Sequence, residues 1–247
     1  MYFGYQQTLD WCLRVREIAA ASPAILDGSV RLFLMPSLPC LLPVIQMFRD
    51  TSIEVGAQNL YFEDRGPFTG EVSGQLLAEV GCRLVEVGHS ERRRMFAESD
   101  EVVALKVAAA LRNGLCPVIC VGEEEPSDAA DACRESTRQL ESALGRIPRD
   151  PRIVPVIVAY EPLWAIGAEQ PAPENHIAEV CRGLREFTTS VRPDTADRVI
   201  YGGSAGPGLL ERLGEGVDGL FLGRHVHDPN AMQAVLDEAG QASRIAH

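Results

Sequence analysis

The sequence predicts an α/β fold, a (β/α)8 barrel of which seven strands are visible. Three observations carry this. Short apolar segments alternate with longer helical ones, and no Pro/Gly-rich linker interrupts them, so residues 1–247 read as one domain. Several of the short segments are apolar on both parities, the pattern of strands covered on both faces. Polar or glycine residues collect at the carboxyl end of nearly every strand: Gln58 and Asn59, His89, Glu123, Glu161, Ser204 and Gly223. A barrel gathers such ends around one mouth, whereas an open doubly wound sheet scatters them.

The elements follow in order. After "MYFGYQQT", the amphipathic run "LDWCLRVREIAAA" (9–21) reads as a helix. Strands are expected at 30–37, 52–59, 83–90, 116–123, 153–162, 198–204 and 219–223. Helical stretches lie between them at 99–114, 129–144 and 173–190. The first of these has Ser99 as its cap, Glu101 in its first turn and Gly114 as its stop.

Composition narrows the function classes. With 247 residues and 46% hydrophobic content, the chain can bury a full core. It has no run of 18 apolar residues and no basic-then-apolar opening, so neither a membrane span nor a secretory signal is expected. Seven scattered cysteines without a CxxC pair, among them Cys12, Cys82, Cys116 and Cys120, read as buried thiols in a reducing cytoplasm. A formal charge of −12 argues against nucleic acid as a partner, although a local site can still oppose that charge and hold a small anion.

Two strand ends carry the chemistry. In "VGHSERRRM" (87–95), His89 directly follows an apolar strand and precedes a dense polar cluster. Amides at the start of the next turn would hold its imidazole neutral, able to donate a hydrogen bond to a carbonyl and still exchange protons. In "VIVAYEPLWAIGAEQPAP" (156–173), Glu161 ends a very apolar strand, where partial burial suits a general base; an arginine-paired structural carboxylate is the plainer alternative. The segment from Pro162 to Pro171 has stiff ends and an apolar middle, "LWAIGA", the composition of a lid that excludes water.

Two further strand ends, "YGGSAGP" (201–207) and "LFLGRHVHD" (220–228), put glycines beside free amides, where barrels bind phosphate. Ser204 would supply a hydroxyl and an amide. Arg224 either meets phosphate or points into solvent. His225 and His227 lack a third ligand of suitable spacing, so no metal site is expected, and without a P-loop, GxGxxG or flavin signature no cofactor is expected either.

At this point a resemblance emerges. "GAQNLYFEDRGPFTGEVS" (56–73), "EVGHSERRRMFAESD" (86–100), "PVICVGE" (117–123), "VAYEPLWAIGA" (158–168) and "YGGSAGP" (201–207) resemble, in the same order, the triosephosphate isomerase family. The resemblance implies a TIM barrel that interconverts glyceraldehyde 3-phosphate and dihydroxyacetone phosphate, as in glycolysis and gluconeogenesis. It implies Glu161 as the carboxylate that moves the proton, His89 as the neutral electrophile, and Glu91 as a buried carboxylate that organises the site. Gly167, Ser204 and Gly223 would offer amides to the phosphate. Residues 61–72 would form a long loop that docks into a second subunit through Thr69, giving a homodimer in the cytoplasm.

Three departures stand out. The last anion loop reads Gly223-Arg224 where the resembled family has two glycines, and the lid ends in "AEQPAP". Both touch the phosphate end and leave the acid–base pair alone, which suits a four-carbon erythrulose phosphate as an alternative substrate. The third departure concerns the first strand with its Asn-x-Lys, which would lie upstream of Met1, so a natural form is expected to begin about ten residues earlier. The chain's one lysine, Lys106, lies inside a helix, far from any expected strand end, which removes Schiff-base aldolase chemistry. A catalytically impaired barrel with a binding or structural role is therefore a second alternative.

Overall fold

The computed structural model describes residues 2–147 and 154–245. Six parallel strands form one sheet in chain order: β1 (Phe33–Leu34), β2 (Glu54–Ala57), β3 (Leu84–Val87), β4 (Cys116–Val121), β5 (Ile157–Tyr160) and β6 (Arg198–Tyr201). Every neighbouring pair is parallel, with Leu84 opposite Cys116, Val118 opposite Ile157 and Ala159 opposite Ile200. Ile153, the first residue of the fifth expected strand, lies outside the described residues.

The helices are α1 (Tyr5–Ala21), α2 (Pro23–Leu26), α3 (Leu41–Phe48), α4 (Gly74–Val80), α5 (Ser90–Phe96), α6 (Asp100–Arg112), α7 (Ala129–Leu144), α8 (Glu174–Val191), α9 (Leu209–Leu213) and α10 (Pro229–Ile245). Local chemistry sets their starts. The Ser99 hydroxyl accepts from the Val102 amide at the head of α6, and Asp128 accepts from the Asp131 amide at the head of α7. α1 starts at Tyr5, ahead of the amphipathic run, because Gly4 can still accept from the Thr8 amide.

Alternate strand residues divide between two cores. Leu84, Val118, Cys120, Ala159 and Ile200 point to the inner face, with Phe33 and Phe221 packed against them. Val85, Val87, Ile119, Val121, Val158 and Val199 point outward into a larger core shared with the helices. This double burial is the physical reason for the strands' two-parity apolar pattern.

The sheet corrects the expected strand count. The segment 219–223 joins β6 only through a bridge at Leu220, with the Tyr201 amide donating to Gly219 O and the Phe221 amide donating to Tyr201 O. β1, expected over 30–37, pairs for two residues only. Both segments have a ladder partner on one side alone, so the barrel is incomplete between them, where a closed one would pair every edge. The two ends nonetheless come close: the rings of Phe33 and Phe221 lie 6.0 Å apart.

All seven cysteines are free thiols; five are buried, and Cys116 and Cys133 are half-buried. No helix among the described residues is long and apolar enough to cross a membrane.

Candidate active site

The strand ladder continues into the site. The Glu161 amide donates to Val121 O and the Gly202 amide to Tyr160 O, which fixes the Glu161 backbone between two strands. By the two-residue alternation of β5, Ile157 and Ala159 face inward, and so does Glu161. Its flanking inward positions are glycines, Gly122 and Gly202. A Cβ on Gly202 would stand 2.7 Å from both Cγ and Oε1 of Glu161, so only glycine leaves room for this carboxylate.

Glu161 is buried, at 6% exposure, and its Oε2 has no hydrogen-bond partner. Burial raises its pKa to about 7; contact with the Cys120 thiol opposes the rise and the charge of Glu91 adds to it. No arginine pairs with it among the described residues, and a carboxyl so raised can exchange a proton near neutral pH.

His89 caps α5: its Nδ1 accepts the Glu91 amide at 3.3 Å. That bond leaves the neutral ring's proton on Nε2. Nε2 stands 3.8 Å from Glu161 Oε2 and 3.9 Å from Glu86 Oε1. Burial lowers the His89 pKa, partly offset by Glu91, so the imidazole is neutral at pH 7. The expectation for Glu91 needs correction. Its side chain is 66% exposed, because the first turn of α5 turns it outward; its amide reaches His89, and its carboxylate stands 4.0 Å from Nδ1.

The lid segment is held at several points. The Trp164 indole donates to Glu123 Oε1 at 2.8 Å, and the Leu163 amide donates to Glu123 O. Glu123 is itself buried and accepts from the Tyr160 hydroxyl. The Ala172 amide donates to the Tyr201 hydroxyl. The Ser204 hydroxyl, expected to face the anion site, donates instead to the carbonyls of Ala165 and Ala168 at 2.8 and 3.0 Å. Ser204 adopts φ +47, a left-handed conformation uncommon for serine.

Gly167 sits in the lid at φ +76, and the guanidinium of Arg224 fills the space that a side chain on Gly167 would take. Arg224 thus bridges from the last strand end to the lid while remaining exposed. Gly223 precedes it with an open approach to its Cα. Thr69 is exposed, in a compact loop closed by the Tyr61 amide on Val72 O. Arg112 braces this loop through Asp64 and Phe62 O.

Lys106 also departs from expectation. Its side chain reaches Asn59 Oδ1, two residues beyond β2, at 2.7 Å. It is buried, and Glu98 holds it at 2.6 Å, so its charge is committed there.

Strand-end reading missed Glu86, Cys120 and the Glu123–Trp164 anchor. Glu86 is one carboxylate in the apolar run "RLVEV", on the inward parity of Leu84; that isolated charge was the available signal. A cleft of about 700 Å3 touches Glu161, Cys120 and Gly122 and runs outward along Arg93, Arg138 and Gln139; neither His89 nor Arg224 lines it. No group of three metal-ligating side chains occurs among the described residues.

The profile of the family described as triosephosphate isomerase matches residues 1–239. An L-erythrulose-1-phosphate isomerase of Pectobacterium atrosepticum is 53% identical over 97% of this chain and 92% of its own length. A protein of the same name from Rhizobium etli is 41% identical, covering 90% of this chain and 84% of itself. A triosephosphate isomerase of Aquifex aeolicus is 35% identical over 84% and 85%. The crystal structure of triosephosphate isomerase from Bartonella henselae superposes with a TM-score of 0.75 at 29% identity, covering 93% of this chain and 92% of that one. The chain belongs to the triosephosphate isomerase family.

Proposed function

We propose that the chain is an isomerase of a small phosphorylated sugar whose substrate is L-erythrulose 1-phosphate. The observation that carries the substrate is the 53% identity, over 97% of the chain, to a protein of that activity. Proteins named for the triose reaction are similar at 35 to 42%. The triose reading, which the resemblance alone placed first, therefore gives way to the four-carbon one.

In this reading Glu161 takes the proton from C3 of the ketose, whose carbonyl is at C2. The electron pair forms the C2–C3 double bond of an enediolate, and the oxygen charge faces His89 Nε2–H. His89 moves the hydroxyl proton between O2 and O3. Glu161 then returns the carbon proton to C2, which leaves the carbonyl at C3, an erythrulose 4-phosphate on renumbering. The amides of Gly167, Ser204 and Gly223, with the Arg224 guanidinium, hold the phosphate. The lid keeps water from an enediolate prone to lose that phosphate. A cytoplasmic homodimer joined through the Thr69 loop, with neither nucleic acid nor membrane as a partner, completes the proposal.

The test is proton exchange from D2O into L-erythrulose 1-phosphate, with dihydroxyacetone phosphate run in parallel and Glu161→Gln as control. We expect carbonyl transfer on the four-carbon substrate at ~10²-fold higher kcat/KM than on the triose, abolished by Glu161→Gln. Turnover of the triose alone would sink the four-carbon reading. A weakened barrel is the second reading, favoured by the commitment of the single lysine to Glu98 and Asn59. Folded protein that exchanges neither substrate would establish it.

A further inference from the structure

We propose that Glu86 is the residue that receives the terminal hydroxymethyl group of a four-carbon substrate, and so sets chain-length specificity. This rests on the reading of the site as a ketose-phosphate isomerase.

The geometry singles out this carboxyl. Glu86 lies on β3, three residues before His89 and on the inward parity of Leu84. Its side chain is 12% exposed. Oε1 stands 3.9 Å from His89 Nε2 and 3.9 Å from Cys120 Sγ, so it borders the place where the reacting carbons must lie. No step of the proton transfer uses it. The one hydrogen bond it receives comes from the Cys120 thiol, a weak donor, and no arginine or lysine is hydrogen-bonded to it, so a largely enclosed carboxyl here has capacity left for a stronger partner.

The orientation of the substrate supplies that partner. The anion cradle stands at the ends of β6 and the Leu220 segment, with the lid after β5. Glu86 is on β3, the strand that leads to His89, and lies across Glu161 from β6 in the strand order. A triose phosphate bound with its phosphate in the cradle ends at the reacting carbons. The four-carbon ketose has one more carbon there, a CH2OH pointing away from the phosphate and toward β3. Burial first, then the charge of Glu161, pushes the Glu86 pKa up to about 8. At pH 7 the group is therefore a neutral carboxyl that can both donate to and accept from a hydroxyl, without repelling the enediolate.

The experiment separates recognition from turnover. Erythritol 4-phosphate and glycerol 3-phosphate carry no carbonyl, cannot react, and differ by one hydroxymethyl group. Titration calorimetry on the full chain, wild type, Glu86→Leu and Glu86→Gln, gives the ratio of their dissociation constants. We expect the wild type to prefer the four-carbon polyol about tenfold, Glu86→Leu to lose that preference, and Glu86→Gln to keep it within threefold. Should Glu86→Leu not fold, Glu86→Asp, which withdraws the carboxyl by one methylene, must shrink the ratio in the same direction. A ratio unchanged in these variants, a wild type without preference, or no binding of either polyol would overturn the assignment. The isomerase reading stands or falls separately, on the exchange of L-erythrulose 1-phosphate.

Discussion

Glu161 Oε2 stands 3.8 Å from His89 Nε2 and has no hydrogen-bond partner of its own. One oxygen of a buried carboxylate is thus left free toward the ring that carries its proton on the facing nitrogen. A substrate lying across the pair, not between these two atoms, would turn its carbon proton to the carboxylate and its oxygen to the imidazole. As the proposed base, Glu161 must be ionised to act, and burial raises its pKa to about 7. We expect kcat/KM to fall tenfold per pH unit below about pH 7. Glu161→Gln should lower kcat by ~10³-fold, and His89→Gln by 10²- to 10³-fold, with far-UV dichroism unchanged. A flat pH profile from 5 to 8 would contradict this assignment of the base.

Gly202 tests the positioning of that base without changing its chemistry. A methyl group there would stand 2.7 Å from Cγ and Oε1 of Glu161. The carboxylate must then move, and displacements near 1 Å at a reacting group cost on the order of 10²-fold. Gly202→Ala should lower kcat by about that factor, more than it raises KM. Wild-type turnover in this variant would show that the position of Glu161 is not limiting.

The strand-end residues were legible because a barrel converts chain periodicity into a common mouth. His89, Glu161, Ser204 and Gly223 each follow an apolar run, and each lies at the carboxyl end of its strand or strand-like segment. What the sequence hid was side-chain direction. Nothing in "HSERRR" says that Glu91 turns outward while its amide serves His89, since one turn of helix decides both. The Ser204 hydroxyl likewise turns to the lid carbonyls through a left-handed backbone that no pattern announces. Glu86 was visible as a charge inside a strand, but its neighbours Cys120 and Glu161 come from two other strands 34 and 75 residues on in the numbering. The seventh strand was overcalled because an apolar run specifies a strand only where partners flank it.

Ser204→Ala removes the hydroxyl whose single proton is shared between Ala165 O and Ala168 O. That shared hydrogen bond is worth about 1 kcal/mol net. The lid should open more often, and the exposed enediolate should shed its phosphate. Inorganic phosphate released per turnover should rise severalfold in Ser204→Ala, while KM changes less than threefold. No rise in phosphate release would place the water barrier elsewhere.

Glu86 also predicts how stability depends on pH. Cys120 and His89 each stand 3.9 Å from its Oε1, and the charges of Glu161, Glu91 and Arg92 act on it through space. Burial and the nearby carboxylates raise its folded pKa to about 8 against an ordinary value of 4.5; Arg92 and Cys120 oppose the rise only in part. Between these two values the folded state holds a proton that the unfolded chain has released. Stability must therefore decrease as pH rises through this window, the reverse of a salt-bridged carboxylate. The limit of the effect is on the order of 5 kcal/mol above pH 8. Glu86→Gln removes the ionisation and keeps the shape. Its melting temperature should match wild type at pH 5 and exceed it by several degrees at pH 8.5. Equal melting temperatures at both pH values would mean that the carboxyl ionises freely in the folded protein, contrary to its burial beside Glu161.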